Sequence, residues 1–144
     1  MIKFTVPGVP VPKARARVTR INGVSRTYTP EKTVRYENTV AYYASEAMKK
    51  EPIPVYQPGI ALAMKLLIFL EPPKSWSKKR KDYAYTGFIY PTSKPDADNI
   101  CKSISDALND IVYTDDSQIV DYIISKRYSE EPRVEIEIIE LYPL

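Results

Sequence analysis

The stretch KPDADNICKSISDALNDIVYTDDSQIVDYIISKRY, residues 94–128, holds two periodicities back to back. Ile100, Ile104, Ala107, Leu108 and Ile111 follow one another at helical spacing. At about 100° per residue they fall in a stripe about 100° wide, the core face of a helix running from about Ala97 to Asp110. From Ile119 to Tyr128 the pattern alternates instead, which predicts a strand. A helix feeding directly into a strand makes this a chain of both element types.

The same reading extends outward. Ile2 to Val6 alternates and reads as a strand, whereas residues 7–29, with Pro7, Gly8, Pro10, Pro12 and Gly23, read as a loop or ragged hairpin. A helix is expected after the cap residue Thr29, with Pro30 in its first position, running to about Lys50. Val34, Val40, Ala41, Ala44 and Met48 would form its buried stripe. Ile60 to Leu70 reads as a buried strand stopped by Pro72-Pro73, and residues 71–94 as a long loop. Arg133 to Leu141 alternates again, so Ser129-Glu130-Glu131-Pro132 is expected to join the last two strands as a hairpin. The order β-α-β-α-β-β predicts an α+β fold: one small domain, 1–144, with a mixed sheet, two helices and a C-terminal β-hairpin.

Composition narrows the chemistry. The 144 residues contain no histidine and a single cysteine, Cys101. That excludes imidazole-activated nucleophiles, histidine- or cysteine-rich zinc sites and an internal disulfide. An enzyme of this composition must use carboxylates, lysine, tyrosine or a hard metal ion. The longest apolar run is interrupted by Lys65, and MIKFTVPG lacks the apolar core of a signal peptide, so cytoplasmic residence without a membrane partner is expected.

The net charge of +3 conceals segregation. Residues 1–36 hold eight Lys/Arg and one acid, residues 74–81 (KSWSKKRK) five bases and no acid, and residues 94–121 seven aspartates and two lysines. Within the acidic stretch, Asp98, Lys102 and Asp106 are spaced i, i+4, i+8, almost opposite the apolar stripe. Asp96 precedes the helix, and Asp115-Asp116 lies before the strand. Each feature alone has an ordinary reading: a helix cap, an ion pair, a turn. Asp96, Asp98, Asp115 and Asp116 together place four carboxylates around one lysine, which a hard divalent cation neutralises better. Flanking bases would hold a polyanion against that acidic centre. Lys13, Arg15, Arg17, Arg20, Lys78, Lys79 and Arg80 are therefore expected to contact DNA phosphates. The aromatics Trp76, Tyr83, Tyr85, Phe88 and Tyr90 could stack on or wedge into unpaired bases, pack within their loop or make dimer contacts, and packing is expected for most of them. Two classes stay open on these residues: a metal-dependent nuclease, and a non-catalytic basic nucleic-acid-binding domain whose aspartates are only caps and turns.

KPDADNICKSISDALNDIVYTDDSQI resembles the signature of the RusA-type Holliday junction resolvases. It has an Asp-x-Asp-Asn, a lysine four residues after the second Asp, an Asp-Ala-Leu, and an Asp-Asp-x-Gln before a strand. FTVPGVPVPKARAR and Tyr28-Thr29-Pro30 resemble the family's opening strand and basic segment. The resemblance implies a homodimeric, Mg²⁺-dependent endonuclease, with Mn²⁺ as a substitute ion, that cuts four-way DNA junctions symmetrically. It implies Asp96, Asp98 and Asp116 as catalytic, metal-holding carboxylates, with Asp116 favoured over Asp115, and Lys102 as their essential basic partner. A Mg²⁺ nuclease for other branched DNA, such as flaps, is the alternative among enzymes. Residues 72–93 match no part of the family pattern.

Overall fold

The computed structural model describes residues 1–14 and 17–142, with Arg17 placed by its backbone. Arg15 lies outside the described residues. The elements are β1 (Ile2–Pro7), β2 (Arg17–Ile21), β3 (Val24–Tyr28), α1 (Glu31–Lys50), β4 (Leu62–Leu70), α2 (Lys78–Tyr85), α3 (Ala97–Ala107), β5 (Ile119–Tyr128) and β6 (Arg133–Glu140). A single 3-10 turn, Asp116–Gln118, leads into β5. The architecture is α+β, as expected: a mixed four-stranded sheet of order β1-β6-β4-β5, with a separate two-stranded hairpin, β2-β3.

Strand β4, paired on both edges, is a nearly continuous apolar run, LAMKLLIFL, broken only by Lys65. Leu62, Met64, Leu66, Ile68 and Leu70 are all buried, facing the helices. Register places Met64 opposite Ile138 on β6 and Tyr122 on β5, so one face of the sheet is apolar across strands. Helix α1 covers it with Tyr36, Val40, Ala44 and Met48, and α3 with Ile100, Ile104 and Leu108. Burying an aliphatic side chain of this size contributes about 1.5–3 kcal/mol. On the other face Lys3, Glu137 and Lys65 lie side by side across three strands, opposite charges adjacent.

Four expectations are corrected. First, β5 and β6 form no hairpin. Strand β4 lies between them, parallel to β5 and antiparallel to β6. The apolar strand thereby gains hydrogen-bond partners on both edges, and the 129–132 connection crosses its end, where the Ser129 N–H donates to the Leu70 carbonyl at 2.9 Å. Second, the 71–94 segment contains α2, started by the Ser77 hydroxyl, which accepts from the Arg80 N–H at 3.2 Å. Third, Pro30 rather than Thr29 is the cap residue of α1, and Thr33 and Tyr36 replace Val34 and Ala41 in its buried stripe. Fourth, Tyr83, Phe88 and Tyr90 are exposed rather than packed.

The β2-β3 hairpin is sharper than expected. Asn22 and Gly23 both take positive φ (52° and 78°), the two-residue turn that matches strand twist. Every residue of β3 is exposed, so the hairpin stands off the core as a basic arm.

Candidate active site

Helix α3 presents Asp98, Lys102 and Asp106 along its solvent face because its opposite stripe is committed to the core. The Lys102 ammonium donates to Asp106 Oδ1 at 2.9 Å and lies 3.7 Å from Asp116 Oδ2. One side chain thus joins the helix to the turn that follows it. That Asp106 hydrogen bond is the main reason the Lys102 pKa rises above its usual 10.5. Lys102 is therefore an ammonium throughout the neutral range. Its pairing contributes stability below pH 10.5 and loses it only as pH climbs through the higher folded value.

Asp116 is placed by a capping box. Asp115 Oδ2 accepts from the Ser117 N–H at 3.0 Å, and Gln118 Oε1 accepts from the N–H groups of Thr114 and Asp115, each at 3.0 Å. Gln118 is buried, and its amide donates to the Gln57 carbonyl at 2.8 Å. These bonds divide the acid pair: Asp115 holds the turn, with its pKa lowered by the Ser117 hydrogen bonds, while Asp116 faces Lys102. Gln118 was missed in the sequence as a supporting residue, although Asp-x-x-Gln is a readable capping signature.

Lys13 occupies an unexpected position. Its backbone N–H donates to the Asn99 carbonyl at 2.8 Å, and the Ser103 hydroxyl donates to the Val11 carbonyl at 2.6 Å, strapping this segment along α3. Its ammonium pairs with Glu37 on α1 and with Asp106 Oδ2 at 3.3 Å. Burial pulls the Lys13 pKa down, but hydrogen bonds and charges from Glu37 and Asp106 outweigh it and raise it overall. The result is an alternating line, Glu37–Lys13–Asp106–Lys102–Asp116. No sequence signal pointed to Glu37.

Asp96 and Asp98 extend the line as exposed carboxylates. Asp96 occupies the cap position of α3 yet makes no capping hydrogen bond, and the Asn99 amide approaches its Oδ2 at 3.5 Å. Among the described residues neither Asp96 nor Asp98 is ion-paired. Cys101 lies beneath, its thiol pushed up to about 11 by burial first and by the Asp98 charge second. The donors are hard oxygens, suited to a hard divalent cation. Among the described residues, however, no three acidic or thiol groups stand close enough to grip a cation without side-chain rotation.

The remaining expected contacts lie apart from this line. Arg20 is exposed on the β2-β3 arm, and Lys78, Lys79 and Arg80 are exposed on α2, with Arg80 stacked 3.8 Å over the Trp76 ring. Among the described residues no helix is long and apolar enough to cross a membrane.

An uncharacterized protein of Bacillus subtilis (strain 168), YqaN, is 41% identical over 140 residues, covering 97% of this chain and 96% of its own. The crossover junction endodeoxyribonuclease rusA of Lactococcus phage r1t is 25% identical over 142 residues, covering 96% of each. The family model for endodeoxyribonuclease RusA matches residues 7–139, a span that includes the strap, both acidic motifs and the central strand. This chain belongs to the RusA endodeoxyribonuclease family.

Proposed function

We propose that the chain acts as one domain, 1–144, and is a Mg²⁺-dependent endodeoxyribonuclease that resolves four-way DNA junctions by paired, symmetric phosphodiester hydrolysis. The observation that carries this reading is the Lys102 bridge, which draws both halves of the family motif onto one exposed face. Asp96, Asp98 and Asp116 would hold the cation, with Mn²⁺ as a substitute. Bound there, it would make a water more acidic and offset charge on the phosphate.

The chain's own groups do the rest. Lys102 is a fixed cation, unsuited to be a general base, and its role is to donate to a phosphoryl oxygen as negative charge builds there. At 3.7 Å its contact with Asp116 is electrostatic rather than a hydrogen bond, which leaves donors free. Lys13 is a positioning residue. By occupying Asp106 Oδ2 it keeps Oδ1 turned toward Lys102. In-line attack on the scissile phosphate leaves 5′-phosphate and 3′-hydroxyl ends. The basic arm, with Arg17 and Arg20, and the basic face of α2, with Lys78, Lys79 and Arg80, hold the DNA arms against the acidic line. Two incisions in a pseudo-symmetric junction call for two copies related by a two-fold axis, so the active species is a homodimer.

The test is to incubate end-labelled four-way junction, Y-fork and linear duplex with the protein, with and without Mg²⁺. Symmetric paired nicks on the junction alone, dependent on Mg²⁺ and abolished in Asp98→Asn and Asp116→Asn with binding retained, are expected. Equal cutting of the fork would move the reading to a general branched-DNA nuclease. Tight binding with no Mg²⁺-dependent cutting would reduce the chain to a binding module.

A further inference from the structure

Helix α2 is built against its own stability. Four consecutive bases, Lys78 to Lys81, fill its first turn, at the end where the helix dipole is already positive. The helix has little amphipathic character to offset them, and Ala84 is its one buried residue. Such a turn is favourable only when something anionic lies against it.

The exposed aromatics identify what else that partner must offer. Gly87 takes a left-handed conformation, φ 89°, and turns the chain back so that the Phe88 N–H donates to the Tyr83 carbonyl at 3.1 Å. The backbone therefore fixes Phe88 beside Tyr83, their rings edge to face at 6.1 Å, although Phe88 remains 78% exposed. Tyr83 is 48% exposed, and Lys79 Nζ lies 6.0 Å from its ring centroid. Lys78, Lys79, Asp82, Tyr83, Thr86 and Phe88 line an open cleft of about 530 Å³ whose floor is mainly apolar. An apolar protein surface would fill this floor but leave the lysines on its rim unmatched. A nucleic-acid strand matches both, with a base face for the rings and phosphates for the lysines. Asp82 adds an acceptor suited to a base's amino group.

We propose that this cleft is a stacking site for an unpaired nucleobase of DNA, laid on the exposed face of Phe88 beside Tyr83 with its flanking phosphates on Lys78 and Lys79. This rests on the reading that DNA is the substrate, and it adds a second contact point outside the acidic line. The two are mechanically linked. Tyr90 lies under the Arg127 guanidinium at 5.0 Å, and Lys126 donates to the Ser93 and Pro95 carbonyls at 3.0 and 3.1 Å, just before Asp96. Asp96 lies eight positions after Phe88, at most ~28 Å of chain. A strand cut at the acidic line would thus offer the cleft a base a few nucleotides away.

The experiment compares binding of oligothymidylate with that of an abasic oligonucleotide of equal length, which has the same phosphates but no bases. The chain's single tryptophan, Trp76, at the start of α2, is the fluorescent reporter. Wild type is expected to bind the base-bearing strand about ten-fold more tightly, within the range for one stacked base. Tyr83→Ala/Phe88→Ala should bind both strands equally and keep the wild-type unfolding temperature. Phe88→Leu, which keeps the apolar bulk without a π-face, should lose most of the preference even if the double variant fails to fold. Lys78→Ala/Lys79→Ala should weaken both strands alike and keep the preference. A wild type that binds the two strands equally, or a preference that survives in Phe88→Leu, overturns the proposal. None of these readouts needs cleavage. A base preference in a protein that cuts no junction would sink the resolvase reading and leave the cleft standing.

Discussion

The two basic segments look alike in sequence and end differently. Both are proline-flanked and cationic, and both were expected to face phosphates. Lys13 instead lies between Glu37 and Asp106, its side chain only 26% exposed, and is strapped down by two hydrogen bonds to α3. Lys78, Lys79 and Arg80 form no ion pair among the described residues and stand in solvent. The difference comes from what lies opposite. Two helices carry an acid toward Lys13, whereas among the described residues no acid pairs with the charged first turn of α2. On the proposed function, the first segment serves the chemistry and the second the grip on DNA.

The sharpest way to break that division is through Lys102, which shares Asp106 with Lys13. Lys102→Met should leave junction affinity within about three-fold and lower the single-turnover cleavage rate by about 10²–10³, the usual loss for one donor at a reacting phosphate. Loss of binding and cutting together would mark Lys102 as a simple ion-pair partner. Lys13→Met comes next. Asp106 would then be left to Lys102 alone and would draw the ammonium away from the phosphate. Single-turnover cleavage should fall about ten-fold at saturating protein, with partial rescue by Lys13→Arg. If Lys13→Met instead weakens binding and leaves the saturated rate unchanged, Lys13 belongs with the phosphate contacts after all.

The opposite pattern is expected on α2. In Lys78→Ala/Lys79→Ala/Arg80→Ala the saturated rate should not change. The slope of log affinity against log salt should become shallower by about two to three, roughly 0.9 for each lost phosphate contact. An unchanged slope would place the DNA elsewhere.

How much of this was readable in advance follows from what periodicity encodes. The apolar run Ile60–Leu70 and the alternation in Val134–Ile138 marked strands, and the 4, 3, 1, 3 spacing from Ile100 marked α3, because each pattern is local. Pairing partners are not local. The four residues Ser129–Pro132 serve a hairpin or a crossing over β4 equally well, and only the demand of β4 for two neighbours decides. Helix α2 was hidden because a first turn of four bases contradicts the rule for helix starts, leaving only the Ser77 cap as a signal. At the site, Asp98, Lys102 and Asp106 were legible as one face of a helix. Glu37 and Lys13 were not, since they are 24 residues apart and meet only when α1 packs beside α3. Asp110, just beyond α3, occupies a left-handed position, φ 66°, where aspartate is tolerated in a turn.

The smallest expected effect is read from Cys101, which senses the acidic line without belonging to it. Its thiol is 7% exposed and has a pKa of about 11, raised by burial, then by Asp98, with Lys102 pulling the other way and Asp116 adding to the rise. At pH 8 only about one thiol in a thousand is ionised, so alkylation by iodoacetamide should be slow in the native protein and complete after denaturation. Asp98→Asn removes a charge that disfavours the thiolate, so the pKa should fall and native alkylation should quicken by a few-fold. Lys102→Met removes one that favours it, so alkylation should slow. Opposite signs require that both side chains act on the sulfur through their charges. Equal acceleration in both variants would instead report loosened packing over Cys101, and the line of charges along α3 would lose its claim to be a fixed arrangement.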